Sequence, residues 1–402
     1  MRSHCSIALS LICLAGLSGC AAAGRDRPDT RPGIDVLLTD SLSLVTGLRV
    51  GLITNQTGVD RNGRSDVDRL LEAGVQLTTL FSPEHGFRGV LDDPNVGHSV
   101  DSATGIPIYS LYGEVRAPTS AMLSNVDVLL IDLQDIGART YTYISTTLLA
   151  MRAVHDAGKR VLVLDRPNPI GGDAIQGPVL DSSFASFVGM LPVPMRHGMT
   201  LGELALFGNE ALVIGATLEV VPASGWRRSQ WFDQTGLPWV RPSPSMPSLE
   251  SATHYPGLVL FEATNLSVGR GTPIAFQVVA APWLSPRAVM ERLPVIPGVS
   301  VADTNITPVD PPDGKFPSVR LPAIQLRTSD REQYDPIRTA FLLLSAIRSV
   351  HADSFVVRDA GMDRLAGTDR VRLALQEGRL QDEIEWQLEA FMRTRARHLL
   401  YE

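Results

Sequence analysis

Cysteine is all but missing from this chain: the 402 residues hold three, at positions 5, 13 and 20. Beyond residue 20 there is no disulfide framework, no thiol nucleophile and no cysteine-built metal site. Positive charge is also scarce. The formal net charge is −7, which disfavours a nucleic-acid partner. Several short motifs are missing as well. The first strand-like stretch carries "GLITNQTG" where a dinucleotide fold would carry G-x-G-x-x-G, and neither a P-loop nor a G-x-S-x-G elbow occurs. The "GRGT" turn at 269–272 is too bare to signal phosphate binding. The eight histidines are scattered without an H-x-x-x-H or H-E-x-x-H pair. A zinc site would have to be assembled in space, for example from His85, His197 and Asp132, and isolated hydrogen-bonding histidines are the simpler reading. No metal and no cofactor are expected.

What is present starts at the N-terminus. "MRSHCSIALSLICLAGLSGC" has Arg2, an apolar run from Ile7 to Leu17 that is too short to span a bilayer, and then "LSGC". This order resembles a bacterial lipobox, cleaved before Cys20. Residues 1–19 are expected to be a signal peptide and Cys20 the lipidation site, with 20–33 a small, charged, Pro/Gly-bearing tether. Two acyl chains anchor stably where one does not. No Asp follows the cysteine, so the expected location is the outer membrane, facing the periplasm.

The charged content is 20% and the hydrophobic content 44%, an ordinary globular balance over a length that suggests two domains. Four apolar stretches, "LRVGLITN" (48–55), "VQLTTLFS" (75–82), "VDVLLIDL" (126–133) and "RVLVLDRP" (160–167), alternate with helical patterns. That alternation predicts a buried parallel sheet of βα units. Helices are expected over 65–74, with Ser65 as cap and Gly74 as stop, over 141–158, and over 200–212, where Thr200 and Glu203 have capping-box spacing. The Trp- and Pro-rich stretch from about 225 to 248 reads as an extended crossover. The reading is an α/β chain: a Rossmann-like N-terminal domain over 34–250 and a smaller α/β domain over 251–402, with amphipathic helices on a small sheet.

Each of the four strands ends by releasing polar residues: Asn55 and Gln56; Ser82, Glu84 and His85; Asp132, Gln134 and Asp135; Asp165, Arg166 and Asn168. Ligands of open α/β sheets sit beyond the carboxyl ends of the strands. Proline stiffens two of these turns, "SPEHG" and "DRPNP". Carboxylate pairs are what glycosidic cleavage needs, and Glu84 is the leading acid, with Phe81 and Phe87 expected to supply an apolar setting. The alternative is that Glu84 caps a helix or pairs with Arg88. Tyr141, Tyr143, Trp239 and Tyr255 either stack on sugar faces or pack.

Seven ordered motifs then carry a resemblance: "GLITNQTGVD", "FSPEHGFRG", "IDLQDIGARTYTYIST", "DRPNPIGG", "PMRHGMTLGELA", "GLPWVRPSPSMPS" and "FEATNLSVGRGTP". Together they resemble the exo-β-N-acetylmuramidase family NamZ, formerly a domain of unknown function, from about residue 34 onward. The resemblance implies a glycosidase releasing terminal N-acetylmuramic acid from non-reducing ends of peptidoglycan fragments, with its site in a cleft between two domains. It implies Glu84 as general acid, His85 beside it and Asp135 as a further catalytic group. It also implies substrate contacts from Asn55, Asp132, Arg139, Tyr141, Arg166, Asn168, Glu262, Asn265, Arg270 and Thr272. Arg139, Arg166 and Arg270 are candidates for the lactyl carboxylate of muramic acid. The chain departs from the family pattern at Gln176, where glutamate is common, and at Ser245, where asparagine is common. The departure at Gln176 motivates an alternative, a catalytically silent lipoprotein that binds muropeptides.

Overall fold

Runs of Val, Leu and Ile without a polar alternate can be buried only between two layers, and that is how this chain uses them. A computed structural model describes residues 30–84, 86–87, 97–113, 115–380, 386 and 388–402; Cys20, His85 and Arg88 lie outside that set. Among the described residues, six strands run parallel: β1 (Arg49–Thr54), β2 (Gln76–Ser82), β3 (Pro107–Ser110), β4 (Val128–Asp132), β5 (Arg160–Leu164) and β6 (Thr217–Val221). Their spatial order is 3-2-1-4-5-6, with the two-residue strand Ser99–Val100 antiparallel on the outer edge of β3. All five residues of β4 are buried, as are the last five of β1. The register aligns the strand ends, pairing Thr54 with Asp132 and Ser82 with Ser110. Polar residues therefore leave the sheet along one edge.

Helices cover both faces. Ile34 and Leu37 of α1 (Gly33–Asp40) and Val67 and Leu70 of α2 (Asp66–Glu72) share one apolar cluster. Leu148 and Met151 of α3 (Tyr143–Asp156) and Leu204 and Phe207 of α4 (Leu201–Ala211) belong to the cluster on the other face. The expected caps form. The Ser65 hydroxyl accepts the Val67 amide at 3.2 Å, and Thr200 and Glu203 close a reciprocal capping box. The β5 strand is shorter than its apolar run, because Asp165, Arg166 and Asn168 turn to partners outside the ladder. Strands β3 and β6, which no apolar run announced, complete the sheet.

The second region opens with α5 (Leu249–Leu258) and carries an antiparallel sheet of β7 (Val278–Ala280), β8 (Val299–Ile306) and β9 (Leu321–Thr328), ordered 7-9-8. Helix α6 (Pro336–Val350), capped by the Asp335 carboxylate, packs on α5 so closely that a Cβ at Gly257 would meet the Pro336 carbonyl. Helices α7 (Asp359–Ala366), α8 (Arg370–Gln376) and α9 (Leu388–Arg395) follow. Leu258 and Leu343 join the α3 and α4 side chains in one continuous cluster, so the two regions share a core. Residues 400–402 return to the first region. The Tyr401 hydroxyl donates to Asp165 at 2.6 Å, the Leu400 amide to Glu203 at 2.7 Å, and the Arg228 amide to the Glu402 carbonyl at 2.9 Å.

Candidate active site

Glu84 sits just beyond β2 in the turn that the sequence marked. The Gly86 amide closes it onto the Pro83 carbonyl at 3.1 Å, and Gly86 takes a φ of +76° that a side chain would resist. Half-buried, Glu84 accepts a hydrogen bond at Oε2 from the Thr142 hydroxyl, at the entrance to α3. Phe81 is buried on the α3 side of the sheet, whereas Phe87 packs with the cluster on the opposite face, so the two do not form a common pocket around Glu84.

The carboxyl faces a cavity of about 290 Å³ built by both regions. The first supplies Glu84, Tyr112, Tyr141, Thr142 and Ser243; the second supplies Tyr255, Glu262, Arg270, Phe276 and Asp313. Glu262 stands on the 3-10 turn after α5. Arg270 lies between Gly269 and Gly271, both at positive φ, and a Cβ at Gly271 would strike the Val309 carbonyl at 2.4 Å. Arg270 Nε donates to Glu262 Oε1 at 2.5 Å, and its guanidinium lies 5.0 Å from the Phe276 ring centre. Burial opposes the charge on Arg270, and the Glu262 carboxylate overrides it, holding the group protonated above its ordinary range.

One wall is aromatic. Tyr141 meets Tyr143 edge-on at 4.9 Å and Tyr255 at 5.8 Å, and Tyr255 meets Phe276 at 4.6 Å. The Tyr141 hydroxyl is buried behind that wall, with Ser243 and Tyr143 as its polar neighbours. Burial also pushes the phenols of Tyr141 and Tyr255 up, so both are neutral donors.

Most other residues named from the sequence lie outside the cavity lining and spend their polar groups on the protein itself. Asn55 donates to the Tyr143 hydroxyl at 2.7 Å and accepts from Thr57. Arg166 grips Asp132 with two nitrogens, one at 2.9 Å, and gives Nη2 to the Val59 carbonyl as well; both side chains are buried. Arg139 is 1% exposed. It donates to the carbonyls of Pro178 (2.8 Å), Val193 (3.0 Å) and Leu365 (2.9 Å), and burial without a carboxylate lowers its pKa to about 9. Asn168 ties to the Met199 carbonyl, Asn265 to the backbone at 354–356, and Thr272 to the Gly269 carbonyl. Of the three arginines considered for a carboxylate ligand, the cavity contains Arg270.

Asp135 is buried too. Its Oδ2 accepts the Gly137 amide at 2.7 Å and lies 3.9 Å from His197 Nε2, and burial pushes the carboxyl up to about 7. His197 accepts the Met199 amide at Nδ1 and is held down to about 3 by burial, hence neutral. Gln176, in the hairpin of Gln176–Val179 and Pro194–Arg196, accepts from Arg196 at 3.0 Å and donates to the Tyr334 carbonyl at 3.3 Å. It does not line the cavity. Among the described residues no cluster of three or more His, Cys, Asp or Glu could hold a metal.

Thr142, Tyr112, Ser243 and Asp313 are cavity residues that the sequence reading did not single out. Thr142 and Ser243 stand within quoted motifs. Asp313 lies in "DPPDGK", a loop without helical or strand periodicity and thus without a signal.

Comparison with known proteins places the chain in a family. Two family models match: exo-β-N-acetylmuramidase NamZ, N-terminal, over residues 50–250, and its C-terminal counterpart over 253–401. The peptidoglycan β-N-acetylmuramidase NamZ of Bacillus subtilis strain 168 is 41% identical over 384 residues, covering 93% of this chain and 92% of that protein. Crystal structures of two DUF1343-family proteins from Bacteroides fragilis superpose with TM-scores of 0.85 and 0.75. They are 35% and 32% identical to this chain, covering 94% and 93% of it and 100% and 99% of their own lengths.

Proposed function

This chain belongs to the exo-β-N-acetylmuramidase NamZ family, and from that membership we propose that its cavity holds the terminal N-acetylmuramic acid of a peptidoglycan fragment while Glu84 protonates the departing glycosidic oxygen. The observation that carries the assignment is the sharing of one small cavity by Glu84, Glu262, Arg270 and an aromatic wall. About 290 Å³ is at the bottom of the range of small-molecule sites. It suits a single sugar ring held end-on, as exo-action requires.

Glycosidic cleavage uses one carboxyl as acid and a second group to activate water, attack, or steady the ring charge. Glu84 takes the first role. Glu262, ion-paired with Arg270 in the same cavity, takes the second; the sequence had left that role open among Asp132, Asp135 and Glu262. Arg270 spends Nε on Glu262, and its terminal nitrogens are free of protein partners among the described residues. They are the donors for the lactyl carboxylate, which a guanidinium binds in bidentate fashion. Tyr141 and Tyr255 form the aromatic wall against which the sugar ring packs.

The test is release of a chromophore from a β-N-acetylmuraminide, with the N-acetylglucosaminide as control. Glu84→Gln, assayed beside it on the disaccharide of N-acetylmuramic acid and N-acetylglucosamine, is expected to lose about 10²–10⁴-fold in kcat. Binding of muropeptide without turnover by the parent chain would instead favour the silent binder, an idea that drew on Gln176. Finally, the "LSGC" sequence supports a lipid on Cys20 that holds the enzyme at the periplasmic face of the outer membrane. A Cys20→Ser chain is expected in the soluble fraction, and its persistence with membranes would sink the anchor.

A further inference from the structure

Threonine just before a helix ordinarily turns its hydroxyl back onto the free amides of the first turn. Ser65 and Thr200 do this for α2 and α4. Thr142, in the same position before α3, makes no such bond. Its hydroxyl goes instead to Oε2 of Glu84, 58 residues away in sequence. Both side chains line the cavity.

A carboxylic acid carries its proton on one oxygen, and an oxygen accepting a hydroxyl hydrogen is the poorer place for it. We propose that Thr142 is a positioning residue for the general acid: by donating to Oε2 it leaves the proton on Oε1 and fixes the side-chain rotamer that presents it. The inference rests on Glu84 being the acid. In the step itself, the bond from muramic C1 to the glycosidic oxygen breaks and its electron pair stays on that oxygen. The oxygen takes the proton from Glu84 Oε1; water then adds its oxygen to C1 and gives up one proton to the enzyme, which restores the protonated acid for the next turnover. Glu84 is left as a carboxylate, so the hydrogen bond from Thr142 changes from neutral to charge-assisted as the proton departs. Such a bond is stronger in the transition state than in the ground state, the condition for raising kcat.

The experiment compares the full chain with Thr142→Val, Thr142→Ser and Glu84→Gln on two substrates. One carries a nitrophenyl aglycone, which leaves without protonation. The other is the disaccharide of N-acetylmuramic acid on N-acetylglucosamine, which needs it. Thr142→Val is expected to lose roughly 10–100-fold in kcat on the disaccharide and less than about threefold on the nitrophenyl substrate, with KM little changed. Thr142→Ser restores most of the loss, and Glu84→Gln shows the same split more strongly. Thr142→Ala provides a second hydroxyl-free variant should the valine disturb folding. Equal losses on both substrates, or parent-level disaccharide turnover in both hydroxyl-free variants, would overturn the role of Thr142 while an inactive Glu84→Gln kept the acid assignment. Disaccharide turnover retained in Glu84→Gln would overturn that assignment, and the role of Thr142 with it.

Discussion

Asp135 and His197 face each other at 3.9 Å, and each leaves one buried polar atom without a protein partner among the described residues. Burial keeps the carboxyl protonated up to about pH 7, and neighbouring Asp165 adds to that rise, while the backbone amides of Gly137 and Ile136 oppose it. Between about pH 4 and pH 7 the folded chain holds a proton on Asp135 that the unfolded chain has released, so its contribution to stability falls as pH rises. Asp135→Asn is therefore expected to be more stable than the parent at pH 8, with the difference vanishing below about pH 4; urea unfolding at the two pH values measures it. At this scale the sequence was legible in part. It shows where polar residues leave a sheet, and Glu84, Tyr141, Glu262 and Arg270 do meet in one cavity. It does not show which polar residues satisfy one another. Asp132 and Arg166 bond across 34 residues, and Arg139 reaches a carbonyl 226 residues away. Such pairings are products of the tertiary fold.

Elements with a strong local signal were the legible ones. The central strands are unbroken apolar runs, and α4 carries both halves of its capping box in four residues. The Thr200 hydroxyl does double duty, accepting the Glu203 amide and donating to buried Asp165 at 2.6 Å. Thr200→Ala should cost about 1–2 kcal/mol in urea unfolding, and Thr200→Ser much less. A neutral alanine variant would mean that water replaces both bonds. The β3 and β6 strands were not legible for a physical reason. The first is four residues long, and the second alternates exposure along the edge of the sheet, so neither makes a buried run. The second sheet likewise alternates, because one face is open.

For the whole molecule, the strand order places a crevice between β1 and β4, where other folds of this order seat a dinucleotide. Here Asn55, Asp132 and Arg166 fill that floor with bonds to protein. The cavity is displaced toward the end of β2 and completed by the second region. The sheet type changes beyond residue 250, and the contacts between the two regions could not be read from either half of the sequence. Tyr401 and Leu400 bind Asp165 and Glu203 in the first region. A chain stopped after residue 397 would leave those two buried carboxylates short of donors. It is expected to lose several kcal/mol, at about 1–3 for each unsatisfied group, read as a lower thermal midpoint and faster proteolysis. The same contact has a consequence for synthesis on the ribosome. Asp165 and Tyr401 are 236 residues apart, and at about 5–20 residues per second the first must wait roughly 12–47 s for the second to be translated. Throughout that interval the seat of residues 400–402 on the nascent sheet stands without its occupant.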